Sequence, residues 1–426
     1  MKKESLKKYI NNKIWIILLI VFGVRLVIYQ GYIDFSIYPD TVSYMDFNAN
    51  ILNGEIDVLR TPVYSYIIKL VKLFANTQTQ IYYGITIVQE IISIISVIVL
   101  YKTLNKEFKN KSANYFATIL YGCSPVIFTY NKVILTESLS LSLFVIYFCL
   151  IIKYIKMPSN AKTLLIGVLT LLLIMLRPAF IYILVMLVIM FGLIFILKKE
   201  HRKQAILGMF VLVVIIGIIL GYCYLNKKQN NIFAISNVTQ INQLDTVIEM
   251  GIYDTGVEED KGIINIINQR LDGFFQTWYR NTTDKIMEEY TPEQIDSFLN
   301  RCIKNNSKYY IENIIQKALK LPFDNSTEIY LEAKNPTMKS LMIPFGIIYL
   351  YLLVEAIYIL IKIIKYSQLP LEQFIMFITI LGQLGTIIIG AQAEYSRLFI
   401  PVLPIIIISM SYIIEEMINL YNSIEK

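Results

Sequence analysis

The sequence predicts an all-α polytopic membrane protein with about ten transmembrane helices. Of the 426 residues, 56% are hydrophobic, and the mean hydropathy is +0.55. Apolar windows of about 20 residues, long enough to cross the hydrocarbon core of a bilayer, recur along the chain. They cover residues 14–33, 80–101, 113–131, 135–155, 162–177, 178–198, 204–225, 340–363, 370–390 and 397–416. A soluble enzyme is therefore excluded.

The charge pattern predicts how these helices are oriented. The net charge is +7, but the lysines cluster in short loops between apolar windows, where they mark the cytoplasmic side rather than a nucleic-acid partner. Four basic loops agree with a cytoplasmic N-terminus, namely "YKTLNKEFKNKS", "KYIKMPSNAK", "LKKEHRK" and "KIIKYSQ". Both termini are expected to face the cytoplasm. The abundance of Ile, Lys and Asn indicates a bacterial gene, and hence a multi-pass protein of the bacterial cytoplasmic membrane.

This orientation divides the chain into three parts. Residues 1–225 are predicted to form an N-terminal transmembrane module that includes a first outer loop at 34–79. Residues 226–339 are predicted to form a mostly helical extracytoplasmic segment, and residues 340–426 a C-terminal transmembrane module. The first apolar window follows "MKKESLKKYINNK" without a small-residue cleavage site, so a retained signal-anchor helix is expected. "LRPAF" interrupts the windows between 162 and 198, which predicts a hinge at Pro178.

The first outer loop is predicted to contain two interfacial helices. Asp40 stands at the N-cap of the first helix and Gly54 at its end. Its apolar residues share one helical face, namely Val42, Met45, Ala49 and Leu52. Thr61 and Pro62 would begin the second helix, whose apolar face holds Val63, Ile67, Leu70 and Phe74. In the long outer segment, "TPEQIDSF" predicts another capped amphipathic helix.

Acidic residues are the candidates for a general base on the outside. The single histidine, His201, lies in a predicted cytoplasmic loop, so an outer base must be an Asp or a Glu. The candidates near the bilayer are Asp40, Asp46, Glu137 and Glu394. Each has a simpler interpretation as well. Asp40 could only cap its helix, Asp46 could be solvated or help to bind a cation, and Glu137 could be placed by the dipole of its helix.

Polar residues inside the apolar windows predict a cavity. Those mapping to the outer half or the outer boundary of their windows are Arg25, Glu90, Arg177, Gln383 and Arg397, whereas Glu355 maps to the inner half. Such residues face a partner or water, and a cavity lined by them suits a lipid-linked anionic group. The alternative for each is a structural ion pair. Arg60 could pair with Asp57 or Asp46, or bind phosphate.

Taken in order, several short motifs resemble the GT-C superfamily of integral-membrane glycosyltransferases. They are an Asp in the first outer loop, "RTPVYSYIIKL", "TESLSLSL", "LRPAF" and "EYSRLFIPVLPII". The likeness is nearest to the branch with protein O-mannosyltransferases and lipid A aminoarabinose transferases. The resemblance does not extend to most of residues 226–339. Many members have eleven or more spans and some a folded C-terminal domain, so the acceptor class stays open.

The resemblance implies an inverting glycosyltransferase that uses a polyprenyl-phosphate-linked sugar and an extracytoplasmic glycan, lipid or protein acceptor. Asp40 matches the family's base, Glu137 an acidic position in the second outer hairpin, and Arg397 and Arg60 basic positions near the donor phosphate. A divalent cation could bind near Asp40 and Asp46, but no DxD-type pair is present, so no cofactor is expected. The alternatives are a polysaccharide polymerase or ligase with a lipid-pyrophosphate donor, and a lipid or polysaccharide transporter.

Overall fold

The computed structural model describes residues 13–29, 35–271, 279–323, 345–391 and 395–424, and this part of the chain is almost entirely helical. The helices of its N-terminal half are α1 (Ile14–Tyr29), α2 (Pro39–Met45), α3 (Pro62–Lys72), α4 (Gln78–Glu107), α5 (Lys111–Cys123), α6 (Glu137–Lys156), α7 (Asn160–Leu176), α8 (Tyr182–Leu197) and α9 (Arg202–Asn230). Those that follow are α10 (Val238–Glu249), α11 (Lys261–Asn268), α12 (Arg280–Glu289), α13 (Pro292–Asn305), α14 (Ser307–Lys320), α15 (Phe345–Tyr366), α16 (Leu371–Gly390) and α17 (Leu403–Ile424). The predicted all-α class is confirmed.

Seven helical segments of the described residues are long and apolar enough to cross a membrane. They are Gln78–Glu107, Glu137–Lys156, Pro178–Leu197, Lys199–Asn230, Phe345–Tyr366, Leu371–Gly390 and Arg397–Asn419. Helices α1 and α7 are also apolar but have 16 and 17 residues. The hinge predicted at Pro178 is confirmed, because Arg177 is extended and a short 3-10 turn at Pro178–Ile181 separates α7 from α8.

The window predicted at 113–131 is not one continuous helix. Helix α5 ends at Cys123, and Ser124 has extended backbone angles immediately before Pro125. The residue before a proline is pushed out of the helical region by a clash with the proline ring. The chain then makes short helical turns at Pro125–Phe128 and Thr129–Lys132 before α6 begins. The third predicted span is therefore a shorter helix followed by an irregular hairpin.

Helix α6 is the centre of the bundle. It is buried along most of its length and packs against α4, α7 and α17. Its first turn brings Glu137, which is fully buried, into the middle of the packed helices. A charged group in that position must have partners in the protein.

The first outer loop differs from its prediction in two ways. Helix α2 ends at Met45, and Leu52 lies in a separate 3-10 turn that ends at Gly54 in the left-handed conformation. The N-cap of α2 is Tyr38 rather than Asp40. Proline fixes the helical φ angle at the first helical position, so Pro39 starts the helix one residue before Asp40. The predicted start of α3, with Thr61 as its N-cap, is confirmed.

The helices α10 to α13 enclose a small hydrophobic core of their own. Its buried residues include Leu244, Ile263, Phe298 and Cys302. The predicted cap at Thr291 is confirmed, since its hydroxyl accepts a hydrogen bond from the Gln294 backbone N–H. Three contacts place this segment at the end of the bundle that carries the first outer loop.

In those contacts, the Asn237 N–H donates to the Val58 carbonyl at 2.9 Å, the Asn242 amide to the Gly390 carbonyl at 3.1 Å, and Lys317 Nζ to the Ala391 carbonyl at 2.8 Å. We call the end of the bundle defined by Val58, Gly390 and Ala391 the site side.

Replacing Asp260 by asparagine is expected to destabilise this small core by about 2 kcal/mol, because Asp260 is buried and accepts charge-assisted hydrogen bonds. Arg301 donates to it at 2.8 and 2.5 Å, and Thr255 at 2.5 Å. Burial raises the pKa of Asp260, but these bonds outweigh burial and lower it. The stabilisation is therefore complete above the unfolded pKa of about 3.9 and is lost as pH falls through the lower folded value.

Limited proteolysis at neutral pH measures this effect as faster cleavage between α10 and α13. Glu258→Gln is the matched control, since Glu258 is highly exposed and pairs with the neighbouring Lys261. Equal cleavage rates for the two variants would contradict the prediction.

Candidate active site

Asp40 lies between two arginines that come from distant parts of the chain. Its Oδ1 accepts a hydrogen bond from Arg60 Nη2 at 2.7 Å, and its Oδ2 accepts one from Arg397 Nη2 at 2.8 Å. The carboxylate is therefore engaged by side chains and does not cap α2. The interpretation of Asp40 as a helix cap is wrong for this structure.

Glu137 shares one of these arginines. Its Oε1 accepts a hydrogen bond from Arg397 Nε at 2.7 Å and another from Arg177 Nη1 at 3.3 Å. Arg397 thus connects the two carboxylates. Among the described residues, three guanidinium groups face two carboxylates in this cluster, so positive charges outnumber negative ones by one. Such a site favours an anionic ligand.

The two carboxylates differ in their access to solvent. The side chain of Glu137 is 0% exposed, whereas that of Asp40 is 35% exposed. The three arginines are between 10% and 13% exposed. Asp40 is therefore the carboxylate of the cluster that an incoming molecule can reach, and Glu137 is the one that fixes the arginines from behind.

A single parallel bridge places Asp40 beside the start of α6. The Ser36 N–H donates to the Lys132 carbonyl at 2.8 Å, and the Ile134 N–H donates to the Ser36 carbonyl at 3.2 Å. Thr41, which is fully buried, donates its hydroxyl proton to the Ile134 carbonyl at 2.9 Å. Helix α2 is thereby attached to the hairpin that leads into Glu137.

Arg60 is held by groups that the sequence did not reveal. Its Nε donates to the Ser43 hydroxyl at 2.7 Å, and its guanidinium lies over the ring of Tyr44 at 4.4 Å. Its backbone N–H donates to Asp57 Oδ1 at 2.7 Å. Asp57 therefore shapes the turn and Asp40 pairs with the side chain. Ser43 and Tyr44 follow Asp40 by three and four residues, the spacing of one helical turn.

The paired arginines determine the charge of Asp40. Burial alone would raise the pKa of the carboxyl, but Arg60 and Arg397 outweigh this effect and lower the pKa of Asp40 to about 2. Asp40 is therefore ionised throughout the physiological range. In this state its oxygens can accept a hydrogen bond, but the two arginines make it a weak base.

Arg25 and Glu90 form a second cluster, apart from the first. Arg25 Nη1 donates to Glu90 Oε1 at 2.6 Å, and Arg25 Nε donates to the Gly122 carbonyl at 3.0 Å. Glu90 Oε2 also accepts hydrogen bonds from Tyr29 and Asn131. These two residues therefore link α1, α4 and the irregular hairpin between α5 and α6. Within the part of the chain that the structure describes, their hydrogen bonds do not include Arg60 or Arg397.

The remaining predicted residues lie in different places. Gln383 donates its amide to the Leu398 carbonyl at 2.7 Å, one residue after Arg397, so it supports the segment that carries this arginine. Asp46 is exposed at the C-cap of α2. Glu394 lies outside the described residues. Glu355 is buried and accepts a hydrogen bond from Ser409 at 2.8 Å.

Gln89 is a residue that the sequence analysis missed. Its amide donates to the carbonyls of Asn131 and Val133 at 2.9 and 3.0 Å, and its Oε1 accepts a hydrogen bond from Tyr64. Because Val133 pairs with Ser36, Gln89 fixes the hairpin to which α2 is attached. The sequence signal that could have identified Gln89 is its position beside Glu90, as a second polar residue in an apolar window.

Replacing Gln89 by leucine is expected to lower activity without weakening donor binding. The change removes the hydrogen-bond partner of the Asn131 carbonyl and of the Tyr64 hydroxyl, at a cost of about 1–3 kcal/mol for each buried group. The Val133 carbonyl keeps its hydrogen bond from the Leu135 N–H. A displacement of Asp40 by about 1 Å can lower a rate by about 10²-fold. The readout is a reduced kcat with an unchanged donor KM. The control is Gln78→Leu, an exposed amide on the same helix; an equal loss in both variants would contradict a positioning role for Gln89.

No cluster of three or more His, Cys, Asp or Glu side chains that could hold a metal occurs among the described residues. The absence of a metal requirement stays a prediction from the sequence.

Comparison with known proteins gives one family and two solved structures. Residues 60–242 match the model of the Alg9-like mannosyltransferase family. The structure is similar to that of the archaeal oligosaccharyltransferase AglB from Archaeoglobus fulgidus in complex with an inhibitory peptide and a dolichol-phosphate. The identity is 10% and the TM-score 0.44, over 86% of this chain and 43% of that one.

A second Archaeoglobus fulgidus oligosaccharyltransferase structure, tethered to an acceptor peptide, has 12% identity and a TM-score of 0.43, over 86% of this chain and 42% of that one. The chain thus spans less than half the length of these proteins. No curated protein matches it significantly. The family match bears out the resemblance to GT-C glycosyltransferases and does not select a branch. Together with the apolar helices, it supports a glycosyltransferase of the membrane.

Proposed function

We propose that this protein transfers a sugar, with inversion, from a polyprenyl-phosphate-linked donor to an acceptor, with Asp40 as the general base. The observation that carries the proposal is the position of Asp40. It is the accessible carboxylate of the cluster, and it lies between two arginines that a phosphate can bind. A phosphate and a carboxylate present similar oxygen pairs to a guanidinium fork. The donor phosphate can therefore take the place that Asp40 occupies on Arg60 and Arg397.

This exchange would couple donor binding to catalysis. When the phosphate engages Arg60 and Arg397, Asp40 loses the two positive partners that lower its pKa. The phosphate also brings negative charge, which raises the pKa of Asp40 further. Asp40 thus becomes a stronger base only when the donor is present. Glu137 stays bound to Arg177 and Arg397 and holds the arginines in position.

The transfer step is then a displacement at the anomeric carbon. The acceptor oxygen forms a bond to this carbon from one face, while the bond to the phosphate oxygen breaks on the other. The acceptor proton passes to Asp40, and the polyprenyl phosphate leaves with the bonding electrons. Arg60 and Arg397 stabilise the negative charge that develops on the leaving phosphate. No water or metal is required in this sequence of bond changes.

In this proposal the site side faces the extracytoplasmic space, and both termini lie in the cytoplasm of a bacterial cell. Residues 1–225 and 340–426 form the membrane modules, and residues 226–339 form the extracytoplasmic segment between them. The charged loops "YKTLNKEFKNKS" and "LKKEHRK" support this orientation. The acceptor is a cell-surface glycan, a lipid or a protein.

The test is transfer by the purified protein in vesicles that contain polyprenyl-phosphate sugars. Polyprenyl-phosphate mannose is the first donor to examine, because the matched family is one of mannosyltransferases. Mass spectrometry of surface glycans and lipids, with and without the gene, would identify the acceptor. Movement of the lipid-linked sugar across the vesicle without a new glycosidic bond would overturn the proposal. Transfer of a block of repeat units from a lipid pyrophosphate would indicate a polymerase or ligase instead.

The pH dependence of the reaction tests the exchange of partners. With Asp40 at a pKa of about 2 in the free enzyme, kcat/KM for the donor should stay constant through the mildly acidic range. In the donor complex the pKa of Asp40 rises, so kcat should begin to fall at a higher pH than kcat/KM. Coincident acid limbs in the two profiles would show that the arginines stay on Asp40 after the donor binds.

A further inference from the structure

Helix α14 carries an apolar stripe that nothing in the described part of the protein covers. None of its residues is buried. Ile311, Ile315 and Leu319, spaced four residues apart, are each more than half exposed, and Phe323 just beyond the helix is 83% exposed. Residues at this spacing share one face of a helix. The same helix turns its other side, with Ile314, Lys317 and Ala318, toward the protein.

A polar stripe runs directly beside the apolar one. Glu312, Gln316 and Lys320 each follow a stripe residue by one position and are all exposed. The boundary between apolar and polar surface therefore runs along the length of the helix. A helix of this kind lies in the plane of a membrane interface, with the apolar stripe among the acyl chains and the polar stripe among the headgroups.

Two hydrogen bonds fix the height of α14 relative to the membrane-spanning helices. The Tyr349 hydroxyl donates to the Ala318 carbonyl at 2.9 Å. Tyr349 lies four residues inside α15, which corresponds to a depth of about 6 Å from the start of that helix. Lys317 Nζ donates to the Ala391 carbonyl, directly after the end of α16. Both α15 and α16 are long and apolar enough to span a membrane. Helix α14 thus lies at the level where these spans end.

The neighbouring surface is also one that lipid must cover. On α15, Ile347 and Leu350 in the first two turns are more than half exposed, as is Leu353 in the next turn. The apolar stripe of α14 is therefore at the same level as the apolar outer surface of a spanning helix. Around it, Lys304 and Lys320 are exposed, as is Lys308, which lies 4.0 Å from Glu312 of the same helix. These lysines complement anionic headgroups.

We propose that α14 is an interfacial membrane anchor, and that its partner is the lipid leaflet on the site side, with anionic lipid favoured. The anchor holds the α10–α13 core against the membrane beside the active site. Because Lys317 binds the Ala391 carbonyl, six residues before Arg397, the depth of α14 also bears on the segment that carries this arginine. The inference does not depend on the proposed reaction.

The test places a nitroxide label on each stripe of the full-length protein in nanodiscs of phosphatidylcholine and phosphatidylglycerol. Leu319→Cys samples the apolar stripe, and Gln316→Cys is its control on the same helix. Ile315→Cys and Glu312→Cys provide a second, independent pair. The native cysteines are buried or half-buried, so the unsubstituted protein serves as the blank. Collisions with oxygen report the acyl chains, and collisions with a water-soluble nickel chelate report solvent.

The expected result is a several-fold higher ratio of oxygen to nickel collisions at 319 and 315 than at 316 and 312. Nanodiscs of phosphatidylcholine alone should reduce this difference, and an unchanged difference would overturn the preference for anionic lipid. Equal accessibility of both stripes to the nickel chelate would overturn the proposal. Spin–spin broadening at 319 would overturn it as well, because it would show that a second copy of the chain covers the stripe.

Discussion

Replacing Asp40 by asparagine is expected to lower the rate of sugar transfer by about 10²–10⁴-fold, the contribution typical of a general base. Asparagine keeps the shape of the side chain and still accepts a hydrogen bond, but it cannot take the acceptor proton. A neutral amide competes less well with the donor phosphate for Arg60 and Arg397, so the donor KM should not rise and is expected to fall. Transfer in vesicles at saturating donor measures the effect.

The matched control is Asp46→Asn. Asp46 lies exposed at the C-cap of the same short helix, whereas Arg60 and Arg397 pair with Asp40. This variant should retain near-normal turnover. Turnover by Asp40→Asn close to that of Asp46→Asn would remove Asp40 from the role of base. A loss in both variants would point to the fold of the first outer loop instead.

Replacing Glu137 by glutamine is expected to destabilise the protein by about 3–5 kcal/mol, the cost of removing one partner from a buried ion pair. Glu137 is fully buried and accepts hydrogen bonds from both Arg177 and Arg397. A neutral amide leaves these two guanidinium groups with less compensation in a site that solvent barely reaches. The measurement is the midpoint of thermal unfolding in detergent, in the absence of donor.

A second variant separates lost charge balance from lost packing. In the double variant Glu137→Gln with Arg177→Met, the charge of Arg177 is removed together with that of its partner Glu137. Part of the lost stability should return, because the penalty comes from uncompensated charge. If the double variant is less stable than Glu137→Gln by the full effect of Arg177→Met alone, the two residues do not interact energetically.

The sequence predicted which residues are polar at the depth of the site, but not which of them face each other. Asp40, Arg60, Glu137 and Arg397 were all selected from the sequence, and the structure brings them into one network. Arg25 and Glu90 were selected by the same criterion, yet they form a separate cluster. Hydropathy gives the depth of a residue along a span. The direction in which it points depends on the packing of the neighbouring helices.

The sequence rules for helix boundaries gave wrong predictions where two of them conflicted. Asp40 is a good N-cap residue, but Pro39 starts the helix first and leaves Asp40 inside it. The window at 113–131 has enough apolar residues for a span, but Pro125 interrupts the helix. In contrast, Thr61 before Pro62 and Thr291 before Pro292 begin helices as predicted, because the cap and the proline agree at these positions.

The sharing of Arg397 between Asp40 and Glu137 has a consequence for selectivity. The anion-binding positions of the cluster are already filled by carboxylates that belong to the chain itself. A tethered group acts at a high effective concentration, of the order of millimolar or above. Free inorganic phosphate at lower concentrations has to compete with it and gains nothing from the membrane. A phosphate attached to a long lipid, as in the proposed donor, adds the binding energy of its tail, so we expect the cluster to select lipid-linked phosphates over soluble anions.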